Sequence, residues 1–363
     1  MCMKKSFRVL SIDGGGMRGL YTAQLLSILA QRFNSRFKEV SPDFGKAFDL
    51  ICGTSTGAIL ACALAAGIPI KNVDSLYRKY GSKIFIDPMP SVGNSPLMYI
   101  WAWRNRKKAA ANANQLREAL TETFGSTTIT QLYEKRKIAL CIPSINAQNH
   151  RAWVFKTSHN PGKTRDDNYS LVDVCMASAA APILFPIAQF VNPDNKQNFD
   201  NFVDGGLWAN NPTLIGLIEA LGMVDSKTQK LEVLSVGTCD RPSGDPYSVN
   251  NPDWGVGNWK VGMNIVEMSL SAQSFGYTHA ARFLGTSLTK LGMETRVVRL
   301  EQTNKSPEQY SAINIDKADD LALKTLSEMA RTDAEDIYSK AMGNNPGDLD
   351  FVKEIFLNLS VLE

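Results

Sequence analysis

Several features that mark large protein classes are missing from this chain of 363 residues. It has only three histidines and six cysteines, with no zinc-type spacing among them, so no metal centre is expected. The cysteines (Cys2, Cys52, Cys62, Cys141, Cys175 and Cys239) are scattered, and several sit in apolar runs. That is the pattern of reduced, packed thiols in a reducing compartment. There is no Gly-Lys-Ser/Thr phosphate loop, no internal repeat and no low-complexity segment. The N-terminal MCMKKSFRVLS lacks an apolar signal core, and the longest apolar stretches meet charge or proline before a membrane-spanning length. These absences predict a soluble protein, most simply cytoplasmic. A formal net charge of +3 gives no reason to expect a nucleic-acid polymer as partner.

With 44% hydrophobic residues the chain can bury a sizeable core. Helix and strand patterns alternate through its first two thirds, which predicts α/β layering around a largely parallel sheet. The organising stretch is FDLICGTSTGAILACALAAG, Phe48 to Gly67. A short apolar run with a strand's composition meets Gly53-Thr54-Ser55-Thr56-Gly57, and an Ala/Leu/Ile run suited to a buried helix follows. A serine with glycines two residues either side, between strand and helix, is the nucleophile-elbow pattern. In so tight a turn, side chains at Gly53 and Gly57 would strike the neighbouring strand and helix, while Ser55 projects from the apex. The amides of Ser55 and Thr56 then stand at a helix start, where the dipole favours negative charge.

Upstream, Phe7–Ile12 reads as a buried strand running into Asp13-Gly14-Gly15-Gly16-Met17-Arg18-Gly19 and a helix from Leu20 to Phe33. Gly14, Gly16 and Gly19 fit the dinucleotide fingerprint. That reading wants a second strand ending in an acidic residue for the ribose. Here the next strand ends in the serine elbow, and Asp49 lies inside it. The alternative is that free amides of the glycines face an oxyanion, with Arg18 adding positive charge nearby.

Downstream, Ile70–Ile84 reads as a helix and Ile86–Pro96 as a proline-rich loop. Leu97–Trp103 is aromatic and precedes Arg104, Arg106, Lys107 and Lys108, a composition that suits the interface of an anionic bilayer. Ala113–Phe124 is expected to be helical, Ile138–Asn146 and Ala152–Thr157 to be strands with His150 between them, and Asp173–Ala181 to be a small-residue helix packed behind the elbow helix. Phe202-Val203 leads into Asp204-Gly205-Gly206, whose glycines allow a sharp turn with Asp204 at a strand tip. Pro212 opens a helix through Leu221, and Leu231–Gly237 is one more buried strand. Arg241–Trp259 reads as a long loop, Val261–Leu284 as helix, Thr295–Leu300 as strand and Asp316–Leu359 as mostly helix. The expected division is a catalytic core over 1–240 and a C-terminal part over 241–363 packed against it.

Taken together, Asp13 to Gly19, Gly53 to Gly57 and Asp204 to Gly206 resemble the three signature blocks of the patatin-like phospholipases, in that family's order. Ala177 to Pro182 with Phe185 is similar to the family's small-residue segment. The resemblance covers about residues 7–240. It implies an α/β three-layer fold, with a central mostly parallel sheet and helices on both faces. It also implies a lipid acyl hydrolase that needs no cofactor and acts on membrane phospholipid. In this sequence Ser55 would be the nucleophile and Asp204 the base. The amides of Gly14, Gly15 and Gly16 would form the oxyanion hole beside Arg18, and Gly53, Gly57, Gly205 and Gly206 would support the motifs. Some bacterial relatives are antiphage effectors switched on by a cyclic dinucleotide. The C-terminal part is therefore a candidate sensor or homo-oligomer contact.

The chemistry is coherent without the family. Ester cleavage needs a nucleophile, a proton acceptor and donors aimed at the oxygen that becomes negative. A carboxylate in direct contact with Ser55 in a dry site can serve as acceptor. The rival mechanism is a Ser55–Asp204–His279 triad, whose chain order matches the α/β-hydrolases. Against it, the elbow comes early for that fold, and His279 lies in the ordinary helical stretch SAQSFGYTHAARF. His150 and His159 attract no role. A nucleotide-binding module built on the Gly14–Gly19 loop is the non-enzymatic alternative.

Overall fold

The computed structural model describes residues 5–90, 96–160, 162–225, 229–240, 253–255, 259 and 263–362. In chain order the elements are β1 (Lys5–Ile12), α1 (Gly19–Phe33), β2 (Pro42–Asp43), β3 (Leu50–Gly53), α2 (Thr56–Ala66), α3 (Ile70–Ile84), α4 (Pro96–Arg104) and α5 (Ala113–Phe124). Next come α6 (Ile129–Arg136), β4 (Ala139–Asn146), β5 (Arg151–Lys156), α7 (Leu171–Ser178), β6 (Ala188–Val191), β7 (Phe199–Asp204), α8 (Gly206–Ala209) and α9 (Thr213–Leu221). The remainder is β8 (Gln229–Val236), α10 (Met263–Lys290), β9 (Thr295–Arg299), α11 (Pro307–Ala312), α12 (Asp320–Ala341), α13 (Leu349–Leu357) and β10 (Ser360–Val361).

The main sheet has the order β6-β7-β4-β3-β1-β8-β9, with β5 hairpinned onto β4. Strands β4, β3, β1, β8 and β9 are parallel; β5 and β7 run the other way, and β6, antiparallel to β7, points with the parallel set. Alternation along the central strands divides the core. Leu10, Ile12, Ile51, Leu140 and Leu234 face one side, with α1, α2, α3, α7 and α12 packed over them. Val9, Leu50, Cys52, Ala139 and Val233 face the other, under α9 and α10. Burial on both faces is why these strands are apolar throughout. The expected three-layer, mostly parallel architecture is the one found.

Most sequence expectations hold to within a residue or two. The small-residue helix stops at Ser178 rather than Ala181, because the backbone of Ala179 leaves helical geometry before Pro182. Its small side chains do let it pack on α2. Helix α6 was not anticipated; Thr128 and Gln131 start it with a capping box. Most of the loop expected over Arg241–Trp259 lies outside the described residues. After it, β9 pairs in parallel with β8, and α12 packs on α1 through a Tyr21–Asp333 hydrogen bond of 2.7 Å and a Phe33–Tyr338 ring contact.

Candidate active site

Ser55 sits between the end of β3 and the start of α2 with φ 55° and ψ −121°, a strained conformation for a residue with a side chain. Its neighbours allow that turn only as glycines. A Cβ on Gly53 would lie 2.0 Å from the Gly57 carbonyl oxygen, and one on Gly57 would lie 2.4 Å from that of Ile12. The turn is therefore wedged between its own helix and β1.

Asp204 ends β7, next to β4. Ser55 Oγ donates to Asp204 Oδ2 at 2.7 Å, and the Gly206 amide donates to Asp204 Oδ1 at 2.6 Å. A Cβ on Gly205 would lie 2.2 Å from the Pro143 carbonyl oxygen, so the backbone passes there only without one. Burial pushes the Asp204 carboxyl up to about 6, opposed by the bonds from Ser55 and the Gly206 amide. No histidine hydrogen-bonds to either residue. His279 is exposed on α10, His150 occupies the β4–β5 turn, and His159 pairs with Thr157 and Glu219. The structure thus joins Ser55 directly to Asp204 and does not build the Ser55–Asp204–His279 arrangement.

The glycine loop is engaged differently from the sequence expectation. The Gly14 amide donates to the Asn210 carbonyl (2.9 Å), the Met17 amide to the Ile315 carbonyl (2.8 Å) and the Arg18 amide to the Gly15 carbonyl (3.1 Å). Gly14 is therefore spent as a donor, which leaves the amides of Gly15 and Gly16 unbonded among the described residues. Both glycines line the same cavity as Ser55 and Asp204. Gly16 has φ +56°, and a Cβ there would meet the Ile315 carbonyl oxygen at 2.1 Å. With Ile315 against this loop and only two amides unbonded, the pyrophosphate cradle of the nucleotide reading is not formed.

The Ser55 amide, expected near the developing charge, instead donates to Ser178 Oγ at 2.9 Å; that hydroxyl donates in turn to the Pro143 carbonyl at 2.6 Å. Ser178 so ties the elbow to β4, and the Asp204 amide bonds the Ala180 carbonyl close by. The Arg18 guanidinium lines the cavity but is paired with Asp240 at 2.9 Å. Beneath the loop, buried Asp13 meets Arg299 of β9 at 2.5 Å. Burial still raises the Asp13 carboxyl to about 6.

The cavity above the pair, open to solvent, has a volume of about 150 Å³. Its walls are overwhelmingly apolar, with Ile59, Leu76, Ile84, Leu116, Val266 and Leu270 among them. Sequence reasoning missed Ser178 as a support, Asn210 and Ile315 as partners of the loop, and α10 as a wall. Each depends on a contact between distant segments, for which the sequence carries no local signal.

Cys141, His159 and Glu219 place possible metal-ligand atoms within 4.8 Å of one another. Glu219, however, already accepts from His159, Lys156 and Asn160, which holds its carboxyl down to about 2. A carboxylate whose oxygens are taken by an ammonium, an amide and an imidazole is a satisfied ion pair. The five described cysteines are all free and buried.

A parallel α/β sheet with a serine elbow in contact with an aspartate at the floor of an apolar cavity is the layout of a serine acyl hydrolase. The family model described as patatin-like phospholipase matches residues 10–217, and the chain belongs to that family. It is 34% identical over 76% of its length to a cGAMP-activated phospholipase of Pseudomonas aeruginosa, covering 75% of that protein. With a cGAMP-activated phospholipase of Vibrio cholerae it shares 30% identity over 97% of its length and 96% of the relative. Patatin-like protein 4 of Arabidopsis thaliana is 29% identical over 69% of the chain and 64% of that protein.

Proposed function

We propose that this chain hydrolyses fatty acyl esters of membrane phospholipids, with Ser55 as nucleophile and Asp204 as base, and that a cyclic dinucleotide switches it on. The observation that carries the chemistry is the 2.7 Å bond from Ser55 Oγ to Asp204 Oδ2 at the floor of the apolar cavity. An acyl chain fills the cavity. Ser55 Oγ attacks the ester carbonyl while its proton passes to Asp204, whose carboxyl near 6 leaves it ionised at neutral pH. The carbonyl oxygen, now negative, accepts from the amides of Gly15 and Gly16. Collapse of this intermediate releases the lysophospholipid alcohol, which takes the proton from Asp204, and leaves acyl-Ser55. Water, deprotonated by Asp204, then frees the fatty acid and restores the serine.

The dinucleotide reading rests on the names of the two bacterial relatives, one of which aligns along nearly the whole chain. The part over 241–363 is the proposed seat of this control, in a cytoplasmic protein that touches the inner membrane face when active. No described helix is long and apolar enough to cross a membrane. Peripheral contact is proposed through Leu97–Lys108. There Leu97, Tyr99, Ile100 and Trp103 are exposed, Arg106 stacks over Trp103, and Lys107 and Lys108 lie beside them. Trp101 takes no part, since it is buried and its indole N–H donates to the Asp87 carbonyl.

The test is fatty-acid release from phospholipid vesicles, with and without a panel of cyclic dinucleotides that includes cGAMP. Activation by one member and abolition by Ser55→Ala are expected. Release that survives Ser55→Ala defeats the catalytic reading; equal release with and without every nucleotide defeats the control.

A further inference from the structure

The outer face of α10 is apolar and uncovered. Ile265, Met268, Ala272, Phe275 and Phe283 are exposed along it, the two phenylalanines at 78% and 70%. Across its 28 residues the helix carries only Glu267, Arg282 and Lys290 as full charges. The inner face is already used: Ala281 is packed against the sheet, Ser274 is bonded by Asn210 and Asn211, and Val266 and Leu270 wall the catalytic cavity. The exposed positions 265, 268, 272, 275, 279, 282 and 286 step by three and four, the spacing of a two-stranded helix seam; the first four are Ile, Met, Ala and Phe, the last three are His, Arg and Thr, and Phe283 flanks them. Scattered surface apolar residues need no explanation, but four in a row on one helical stripe mark an interaction face.

We propose that a second copy of this chain docks on this face, with the two α10 helices antiparallel about a two-fold axis between Phe275 and Gly276. In that register Phe275 lies over the partner's Gly276, and at Gly276 the space a side chain would fill is open. Ala272 stands opposite the partner's His279, and Met268 opposite the partner's Phe283, a sulfur–ring contact. Glu267 comes within two positions of the partner's Arg282, and symmetry makes this pair twice. A parallel pairing would instead bring like charges together at both positions. Because every contact is repeated by the axis, the interface is self-complementary and closes at two copies.

The helix is about 42 Å long, so a strip about 12 Å wide buries roughly 500 Å² per copy and about 1,000 Å² in all, the lower end for specific association. The dimer is therefore expected to form and dissociate with concentration. Val266 and Leu270 lie on the same helix, so pairing also steadies one wall of the cavity. The proposal does not depend on the enzymatic reading.

Sedimentation velocity of the full chain from about 1 to about 100 µM tests it, a span that brackets micromolar affinity. The mass is expected to rise from one chain to two, while Phe275→Glu/Phe283→Glu stays at one with an unchanged thermal melt. Under mild oxidation, in a Cys2→Ser background, Gly276→Cys, next to the axis, should cross-link between chains and Thr289→Cys, far from it, should not; the five described native thiols are buried. A wild-type chain that remains single at the highest concentration overturns the proposal. So does a double variant that still dimerises, or equal cross-linking at both cysteine positions. Loss of vesicle binding by a double variant whose parent is single at all concentrations would assign the face to a bilayer instead.

Discussion

Asp204→Asn should separate stability from activity. The carboxyl moves from an ordinary 3.8 to about 6 mainly because it is buried. At about 1.4 kcal/mol per pH unit, ionising it in the folded state costs about 3 kcal/mol relative to the unfolded chain. Asparagine has the same shape, keeps an oxygen for the Gly206 amide and offers Ser55 an N–H, so little else is lost. Above pH 6 the native carboxylate is charged in both states and carries the full penalty, so the variant should be the more stable by about 1 to 3 kcal/mol. Between about pH 6 and 4 the native protein holds a proton that the unfolded chain releases; the advantage shrinks, and it vanishes below about 4. Urea unfolding of both proteins at pH 8 and pH 4 reads this difference directly. Vesicle hydrolysis by the variant should fall by a factor of about 10² to 10⁴, the usual loss for a removed general base. A stability gap that does not widen with pH would refute the claim that burial sets the state of this carboxylate.

Three other outcomes follow from the same contacts. The native kcat/KM for vesicle hydrolysis should fall below about pH 6, about tenfold per pH unit, because a protonated Asp204 cannot accept the serine proton; a flat profile to pH 5 contradicts this. Ser178→Ala leaves the Ser55 amide and the Pro143 carbonyl without their partner. About 1 to 3 kcal/mol of stability should be lost in denaturant titration, with kcat lowered more than KM is raised. Arg299→Met strips buried Asp13 of its counter-charge, at a cost of about 3 to 5 kcal/mol at pH 8. The cost should be smaller at pH 5, where Asp13, with its carboxyl near 6, is mostly protonated.

The elbow could be read from the sequence because everything that shapes it lies within five residues: two glycines at their points of closest approach and a serine between strand and helix. Asp204 was legible for a similar reason, since the glycine pair follows it directly and Gly205 allows the close pass of β4 beside it. The donors were not. Whether Gly14 offers an amide to substrate depends on the Asn210 carbonyl, and the conformation of Gly16 is tied to Ile315, neither of which lies near it in the chain. Ser178 reads as one small residue in a small-residue helix until its hydroxyl is seen under the elbow. The aromatic stretch at α4 shows the same limit. Trp101 and Trp103 look equivalent in sequence, but a helix turns one inward to Asp87 and the other to solvent.

The Ile315 carbonyl, held against the glycine loop, has a consequence for the order in which the protein is made. Serine and aspartate leave the ribosome long before Arg299 and Ile315. Until those two arrive, Asp13 has no counter-ion and the Met17 amide no acceptor. A nascent chain stalled before Thr295 should therefore carry Ser55 and Asp204 yet, under the proposed mechanism, release no fatty acid from vesicles.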